Sequence, residues 1–153
     1  RSRIKNAIDE IEGQYENIII DCPPSLGLLS INGLSAVDKI IIPLSHLGDE
    51  QDGMADLIDT IKKVRKYVNP TLSIFGILQT MTDTTTLSRS LREQLIKSYG
   101  SLVFDSSIPR SILVPEAVDK DILIFELQGG DKKRNLALEN SYRNFVKEII
   151  SKY

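Results

Sequence analysis

The chain is poor in the residues that support disulfide, metal-cluster and cofactor-cage chemistry. Its 153 residues include one cysteine, Cys22, one histidine, His46, and no tryptophan. A lone cysteine can form neither an internal disulfide nor a zinc cluster, which favours a cytoplasmic setting. Apolar runs such as Ile18–Ile20 are far shorter than the roughly 20 residues that span a bilayer, so we expect no membrane segment.

The chain also lacks a large excess of charge of one sign. Nineteen basic and 21 acidic residues give a formal net charge of −2, which excludes the global basic field of a protein that coats nucleic acid. A local basic patch remains compatible with this balance. The apolar content of 41% against 26% charged is enough to bury a core, so we expect one globular domain over residues 1–153.

Unbroken β-branched runs alternate with helical periodicity along the chain. The pattern predicts, in order, a helix at 3–12, a strand at 15–21, a buried helix at 26–37, a strand at 39–43, a helix at 50–68, a strand at 72–81, a helix at 86–98, a short strand at 102–104 and a helix at 135–152. Continuous apolar strands are typical of parallel sheets covered on both faces. We therefore predict an α/β fold with a mostly parallel sheet and flanking helices, without internal repeats.

Ligands of such sheets bind beyond the carboxyl ends of the strands, so the residues that follow each strand are the first candidates. Asp21 ends the first predicted strand and is followed by two prolines and a serine. An acid at this position orders Mg²⁺ in many nucleoside triphosphatases. The alternative is an aspartate that caps the following helix, and spacing alone leaves both interpretations open.

Four separated motifs carry a more specific signal. IIIDCPPSLG at residues 18–27 resembles the Walker B and switch region of the ParA/MinD-type ATPases, the deviant Walker A group that partitions plasmids and chromosomes. KIIIPL at 39–44, GILQTMTD at 76–83, and IPRS at 108–111 followed by PEA at 115–117 resemble later blocks of the same family, in the same order. The resemblance covers about residues 15–120.

The resemblance implies a P-loop NTPase-like, three-layer α/β/α fold that binds ATP and Mg²⁺. It also implies an ATP-dependent homodimer, non-specific DNA binding and a ParB-type centromere-binding adaptor, in a cytoplasmic, nucleoid-associated protein. Carried over residue by residue, it makes Asp21 the acid that acts on Mg²⁺ through water and places Pro23 in the γ-phosphate switch. The nucleotide base would be surrounded by Met81, Asp83, Pro109 and Arg110, and DNA would be bound by Arg89, Arg92 and Arg110.

One family element is absent from the sequence. No glycine-rich loop leads into a Lys-Ser/Thr pair, and the only paired glycines, Gly129 and Gly130, precede Asp131 and basic residues instead. The chain also begins with Arg1 rather than methionine. We therefore expect an N-terminally incomplete ATPase domain: the full-length protein hydrolyses ATP, and the 153-residue chain does not.

Other functions remain open on the sequence alone. The C-terminal helix has an apolar stripe, so a MinD-like membrane-associated positioning ATPase is one alternative, and a catalytically silent partner-binding domain is another. We interpret Cys22 as a small, partly buried thiol, His46 as a polar loop residue, and the basic run 62–66 as a solvated, paired helix face. Lys132–Arg134 either contact DNA or are an exposed helix flank.

Overall fold

The computed structural model describes residues 3–23, 25–45, 50–127 and 132–152. The chain divides into two compact units, one from residues 1–41 and 49–75, the other from residues 42–48 and 76–153. Three strands form one sheet in the order β1 (Lys39–Ser45), β2 (Ser73–Thr82) and β3 (Val103–Pro109), with β2 and β3 parallel. Helices flank these strands, so the predicted α/β class is confirmed.

The first unit contains three helices: α1 (Arg3–Asp9), α2 (Leu28–Leu34) and α3 (Glu50–Tyr67). α3 buries an apolar face that includes Met54, Ile61 and Val64. On its exposed face Lys62 pairs with Asp59 at 3.3 Å, which agrees with the interpretation of the basic run as a solvated surface.

A buried asparagine fixes the end of α2 to the segment that follows α3. Asn69 Nδ2 donates to Leu34 O at 3.1 Å and to Val37 O at 2.7 Å, and its Oδ1 accepts from Thr71 Oγ1 at 2.9 Å. These bonds satisfy carbonyls that the helix end leaves without an intrahelical partner. The loop before β1 is therefore held by a side chain 32 residues away.

The strand predicted at residues 15–21 is wrong. Residues 17–23 have no regular secondary structure, and Ile19 is 93% exposed. A strand requires a neighbour for its backbone groups, and among the described residues no strand pairs with this segment. The helix predicted at 26–37 is shorter in the structure, where α2 runs from Leu28 to Leu34, and its first two residues, Leu28 and Leu29, are exposed rather than buried. An apolar pattern shows that a segment can be buried, but the segment is buried only where another element packs against it.

The second unit contains α4 (Thr86–Tyr99), α5 (Leu113–Asp119) and α6 (Lys132–Lys152), with 3-10 turns at Gly100–Leu102 and Ile124–Glu126. The Thr85 hydroxyl caps α4 by accepting from Ser88 N at 3.2 Å, and Gly100 ends it with a positive φ of 55°. α5 has no counterpart among the predicted elements, which included neither helix nor strand between residues 104 and 135. β3 is longer than predicted, because it continues through Pro109.

α6 packs on β3 through aromatic side chains. The rings of Phe104 and Phe145 meet edge to face with centroids 5.1 Å apart, and Lys152 Nζ lies 4.6 Å from the Phe104 ring centroid. Phe104 is fully buried. It occupies the space that the missing side chain of Gly76 on β2 leaves.

Replacing Gly76 by alanine is expected to lower the free energy of unfolding by about 1–3 kcal/mol, because its Cβ would lie 2.7 Å from Phe104 Cζ and force the ring to move. The matched control is Gly53→Ala in α3, where nothing lies within 4 Å of the added Cβ. We expect this control to preserve or slightly raise stability, since alanine favours helix. Urea unfolding of both variants measures the difference, and equal stabilities would contradict the packing described.

Candidate functional site

The segment that carries Asp21 lies directly on α2. A Cβ on Gly33 would be 2.7 Å from Cys22 Sγ and 3.7 Å from Ile20 Cγ2, so the glycine permits this close approach. The Ser30 hydroxyl donates to Ser25 O and, at 3.4 Å, to Pro23 O. The turn after Asp21 is therefore tied to the first turns of α2.

The side chains at this turn face outward. Asp21 and Pro23 are exposed, and Cys22 is a free, exposed thiol rather than the partly buried one expected. Within the described ranges no three His, Cys, Asp or Glu residues cluster closely enough to hold a metal. Asp21 therefore presents its carboxylate to the exterior.

In the second unit, the parallel pairing of β2 and β3 brings together four of the predicted nucleotide-site residues. Thr82 stands opposite Pro109, and Arg110 N donates to Thr82 O at 2.9 Å. Met81 and Asp83 flank Thr82, so all four candidates lie at the shared end of these strands. The end of a parallel sheet where ligands commonly bind thus contains all four residues, and their role toward a nucleotide stays a prediction.

Met81 has an unusual backbone for a long apolar side chain. Its φ is +53°, in the left-handed region that non-glycine residues seldom adopt, and its side chain is 50% exposed. Strain of this kind persists where the surrounding structure imposes it, and it clusters at ligand sites. Half of the Met81 side chain is thus accessible from outside at the end of β2.

Asp83 organises the loop that follows β2. Its Oδ1 accepts from Thr85 N at 2.9 Å and from the Thr85 hydroxyl, while its own N–H donates to Ser88 Oγ at 3.4 Å. Thr85 in turn caps α4. Buried Gln79 donates from Nε2 to Ser88 O at 3.0 Å. The carboxylate of Asp83 thus holds the turn between β2 and α4, and through Thr85 it helps to fix the start of α4.

The three arginines predicted to bind DNA have different environments. Arg89 and Arg110 are exposed. Arg92 is half-buried, and its Nη2 donates to Phe104 O at 3.2 Å and to Asp105 O at 3.0 Å. Its Nη1 is buried and has no hydrogen-bond partner among the described residues. Arg92 therefore supports the backbone of β3 in this structure.

Sequence reasoning missed Glu148 of α6. Ile77 pairs with Val103 but Gln79 with Ser107, so β3 bulges between them and its N–H groups leave the ladder. Glu148 Oε1 accepts from Asp105 N and Oε2 accepts from Ser106 N, both at 2.8 Å, and Lys152 Nζ lies 2.9 Å from Oε1. The i,i+4 spacing of Glu148 and Lys152 was the only sequence signal.

Glu148 is ionised because of these donors. Burial acts to raise the pKa of its carboxyl group, but the hydrogen bonds from Lys152, Ser106 and Asp105 outweigh it and lower the pKa to about 2. Glu148 of α6 accepts hydrogen bonds from the N–H groups of the β3 bulge, and Arg92 of α4 donates hydrogen bonds to carbonyl groups of the same bulge. The two charged side chains together satisfy backbone groups that the irregular strand leaves open.

Several candidates fall outside the described residues: Pro24, His46, the paired glycines Gly129 and Gly130, and the side chains of Lys132–Arg134. Of the remaining residues, Asp21 and Pro23 belong to the first unit, and the predicted base-binding and DNA-binding residues belong to the second. No helix in the described ranges is both long and apolar enough to cross a bilayer.

Comparison with known proteins gives consistent matches. A family model described as an AAA domain matches residues 1–74. The chain is 35% identical over 150 residues to the chromosome-partitioning ATPase Soj of Treponema pallidum, which covers 97% of this chain and 57% of that protein. It is 38% identical over 127 residues to the sporulation initiation inhibitor protein Soj of Bacillus subtilis, covering 81% and 50%.

A solved structure has the same fold over most of the chain. Cobyrinic acid a,c-diamide synthase from Mycobacterium smegmatis, with a bound ATP analog and magnesium, superposes with a TM-score of 0.66 at 37% identity, covering 72% of this chain and 46% of that one. The chain spans about half the length of the curated relatives it matches.

Proposed function

Because this chain belongs to the ParA/MinD-type family of P-loop ATPases, we propose that it is the C-terminal part of an ATPase that segregates chromosomal or plasmid DNA. The observation that carries the proposal is the match to a chromosome-partitioning ATPase over 97% of the chain. The outward-facing Asp21 and the assembled ends of β2 and β3 support it. The proposed protein works in the cytoplasm on the nucleoid.

Asp21 is the residue we propose to act on Mg²⁺ through a bound water. Its carboxylate is exposed at a turn that Ser30 holds in place, and oxygen ligands are those that Mg²⁺ prefers. Mg²⁺ would neutralise charge that develops on the phosphates. Pro23, one residue beyond Cys22, lies in the same tied turn, where its carbonyl accepts from Ser30 and a switch of that turn would be coupled to α2.

The ends of β2 and β3 are the proposed site for the nucleotide base. Met81 and Pro109 present apolar surface there, and Arg110 follows on a backbone that Thr82 anchors. Asp83 positions this surface by holding the β2–α4 turn. The magnesium and ATP analog bound to the cobyrinic acid a,c-diamide synthase support both ligands for this family.

The phosphate-binding loop is not part of this sequence, so we propose that hydrolysis belongs to the full-length protein and not to the 153-residue chain. In that protein ATP would pair two subunits, the dimer would bind DNA without sequence preference, and a ParB-type adaptor would stimulate hydrolysis. The name of the Treponema relative supports the DNA cargo.

Arg89 and Arg110 are the preferred DNA contacts, because Arg92 is engaged with β3. Arg89→Glu in the full-length protein is expected to weaken ATP-dependent retention on non-specific double-stranded DNA by about tenfold at low salt, and to flatten the salt dependence. Gel-shift titration at several salt concentrations measures both quantities.

Lys97→Glu is the matched control, since it makes the same charge change near the other end of α4. We expect it to have the smaller effect. If Arg89→Glu is retained on DNA as strongly as the unmodified protein, α4 is not part of the DNA interface. Binding to liposomes instead of DNA would support the membrane-positioning alternative.

A further inference from the structure

Ser88 of α4 is a buried serine that neither the proposed nucleotide site nor the proposed DNA site uses. It is 4% exposed. Its carbonyl oxygen accepts from Gln79 Nε2 at 3.0 Å, and its hydroxyl oxygen accepts from Asp83 N at 3.4 Å. Gln79 and Asp83 lie two residues before and two residues after Met81. One residue of α4 therefore holds both sides of the segment that carries Met81.

The segment that Ser88 holds is an irregular part of β2. Gln79 pairs with Ser107 and Thr82 pairs with Pro109, so β2 advances by three residues where β3 advances by two. β2 thus has a bulge of one residue between Gln79 and Thr82. Bulges change the direction in which a side chain points, and they occur often beside active sites. Met81, a residue of the proposed base site, lies within this bulge.

The backbone of Met81 shows what the bulge requires. Its φ of +53° is in the left-handed region, where one common class of β-bulge has glycine. Among the described residues one other non-glycine residue, Asp121, has a positive φ, and aspartate tolerates this conformation better than a long apolar side chain does. A left-handed methionine costs conformational energy, so other contacts must hold the bulge in place.

The hydrogen bonds around Ser88 can supply this hold. Gln79 is 1% exposed, and a buried amide is costly unless it is hydrogen-bonded, so its bond to the Ser88 carbonyl is strongly favoured. On the other side of the bulge, the Asp83 carboxylate accepts from Thr85 N at 2.9 Å, and Thr85 Oγ1 accepts from Ser88 N at 3.2 Å. Both ends of the bulge are therefore fixed to the first turn of α4.

We propose that Ser88 is a positioning residue for the proposed base site. By fixing Gln79 and Asp83 it imposes the left-handed conformation of Met81, and it thereby keeps the Met81 side chain where a nucleotide base would contact it. The inference rests on the proposed function for its ligand, but the hold of Ser88 on Met81 does not depend on a nucleotide. The two parts are therefore tested separately.

Methionine-methyl NMR of the 153-residue chain tests the hold of Ser88 on Met81. The chain has two methionines, and buried Met54 of α3 serves as the internal reference. Ser88→Ala removes the hydroxyl that accepts from Asp83 N, so we expect it to shift the methyl signal of Met81 and to leave that of Met54 in place. Ser98→Ala, the same change at an exposed serine of α4, is expected to shift neither signal. Met81→Gly assigns the two signals, because its spectrum lacks one of them.

Calorimetric titration of the full-length protein with Mg²⁺ and the non-hydrolysable ATP analogue AMP-PNP tests the consequence for the base. Loss of one hydrogen bond that positions Met81 is expected to weaken binding about fivefold in Ser88→Ala, and Ser98→Ala is expected to stay within about twofold. Glycine adopts the left-handed conformation without help, so adding Ser88→Ala to Met81→Gly is expected to change the dissociation constant by less than about twofold. If Ser88→Ala does not fold by circular dichroism, Gln79→Met, which removes the other hydrogen bond and keeps the side-chain length, replaces it in both tests.

Three results would overturn the inference. An unshifted Met81 signal in Ser88→Ala would show that Ser88 does not position Met81. A shifted signal with unchanged affinity for AMP-PNP would separate Met81 from the base. A loss of affinity on adding Ser88→Ala to Met81→Gly that equals the loss in the unmodified background would show that Ser88 acts through another residue. If the unmodified full-length protein does not bind AMP-PNP, the proposed function and the role at the base site are both wrong, and the Met81 signal still decides whether Ser88 positions Met81.

Discussion

Replacing Asp21 by asparagine is expected to lower the ATP turnover of the full-length protein by about 100-fold or more. Asparagine keeps the size of the side chain at the turn that Ser30 holds, but it removes the negative charge that would hold Mg²⁺ through water. A metal clamp on transferring phosphate contributes several kcal/mol, and roughly 3 kcal/mol corresponds to about 100-fold in rate. Release of inorganic phosphate at saturating ATP and Mg²⁺ measures the loss.

The control for this variant is Asp38→Asn. Asp38 is an exposed aspartate in the same unit that precedes β1, so it makes the same chemical change without touching the proposed metal site. We expect it to retain turnover within about twofold. Equal turnover in Asp21→Asn and the unmodified protein would exclude Asp21 from the proposed metal site.

Replacing Glu148 by glutamine is expected to lower the free energy of unfolding of the chain by about 2 kcal/mol at pH 7. The carboxylate accepts from two backbone N–H groups of the β3 bulge and pairs with Lys152, and glutamine removes the charge while keeping the shape. The matched control is Glu93→Gln, a change at an exposed glutamate on α4, and we expect it to lower the free energy of unfolding less than Glu148→Gln does.

The pH dependence gives this prediction its sign. The pKa of Glu148 falls from 4.5 to about 2 on folding, so its stabilising contribution is complete above pH 4.5 and is lost as the pH falls toward 2. The gap between the unmodified chain and Glu148→Gln should therefore narrow between pH 4.5 and pH 3. Urea titrations at pH 7, 4.5 and 3 measure it, and a gap that stays constant with pH would contradict the ionised carboxylate.

The elements that sequence alone predicted well are those whose own periodicity determines them. β1, α3, β2, α4 and α6 all appear close to their predicted ranges, because each carries an apolar face that its neighbours bury. The strand predicted at residues 15–21 was wrong because its formation depends on a neighbouring strand. Their β-branched run suits a strand, yet the described residues offer this segment no strand to pair with, and pairing is a long-range property.

The same distinction between local pattern and long-range contact applies to the candidate site. The family resemblance grouped Met81, Asp83, Pro109 and Arg110, and the pairing of Thr82 with Pro109 brings them to the same end of β2 and β3, while their role toward a nucleotide stays a prediction. The bulge of β3 could not be predicted, since it depends on register between strands. The roles of Arg92 and Glu148, which satisfy that bulge from two different helices, depend on it in turn. Periodicity along one segment contains no information about such contacts.

ATP turnover of the full-length protein and of the 153-residue chain, measured side by side, tests whether hydrolysis requires a phosphate-binding loop that this sequence does not contain. We expect Mg²⁺-dependent hydrolysis by the full-length protein and none above background by the chain, because the sequence of the chain has no phosphate-binding loop. Clear turnover by the purified chain that Asp21→Ala abolishes would contradict the proposed division of the active site. Absence of turnover in the full-length protein would contradict its assignment as an ATPase.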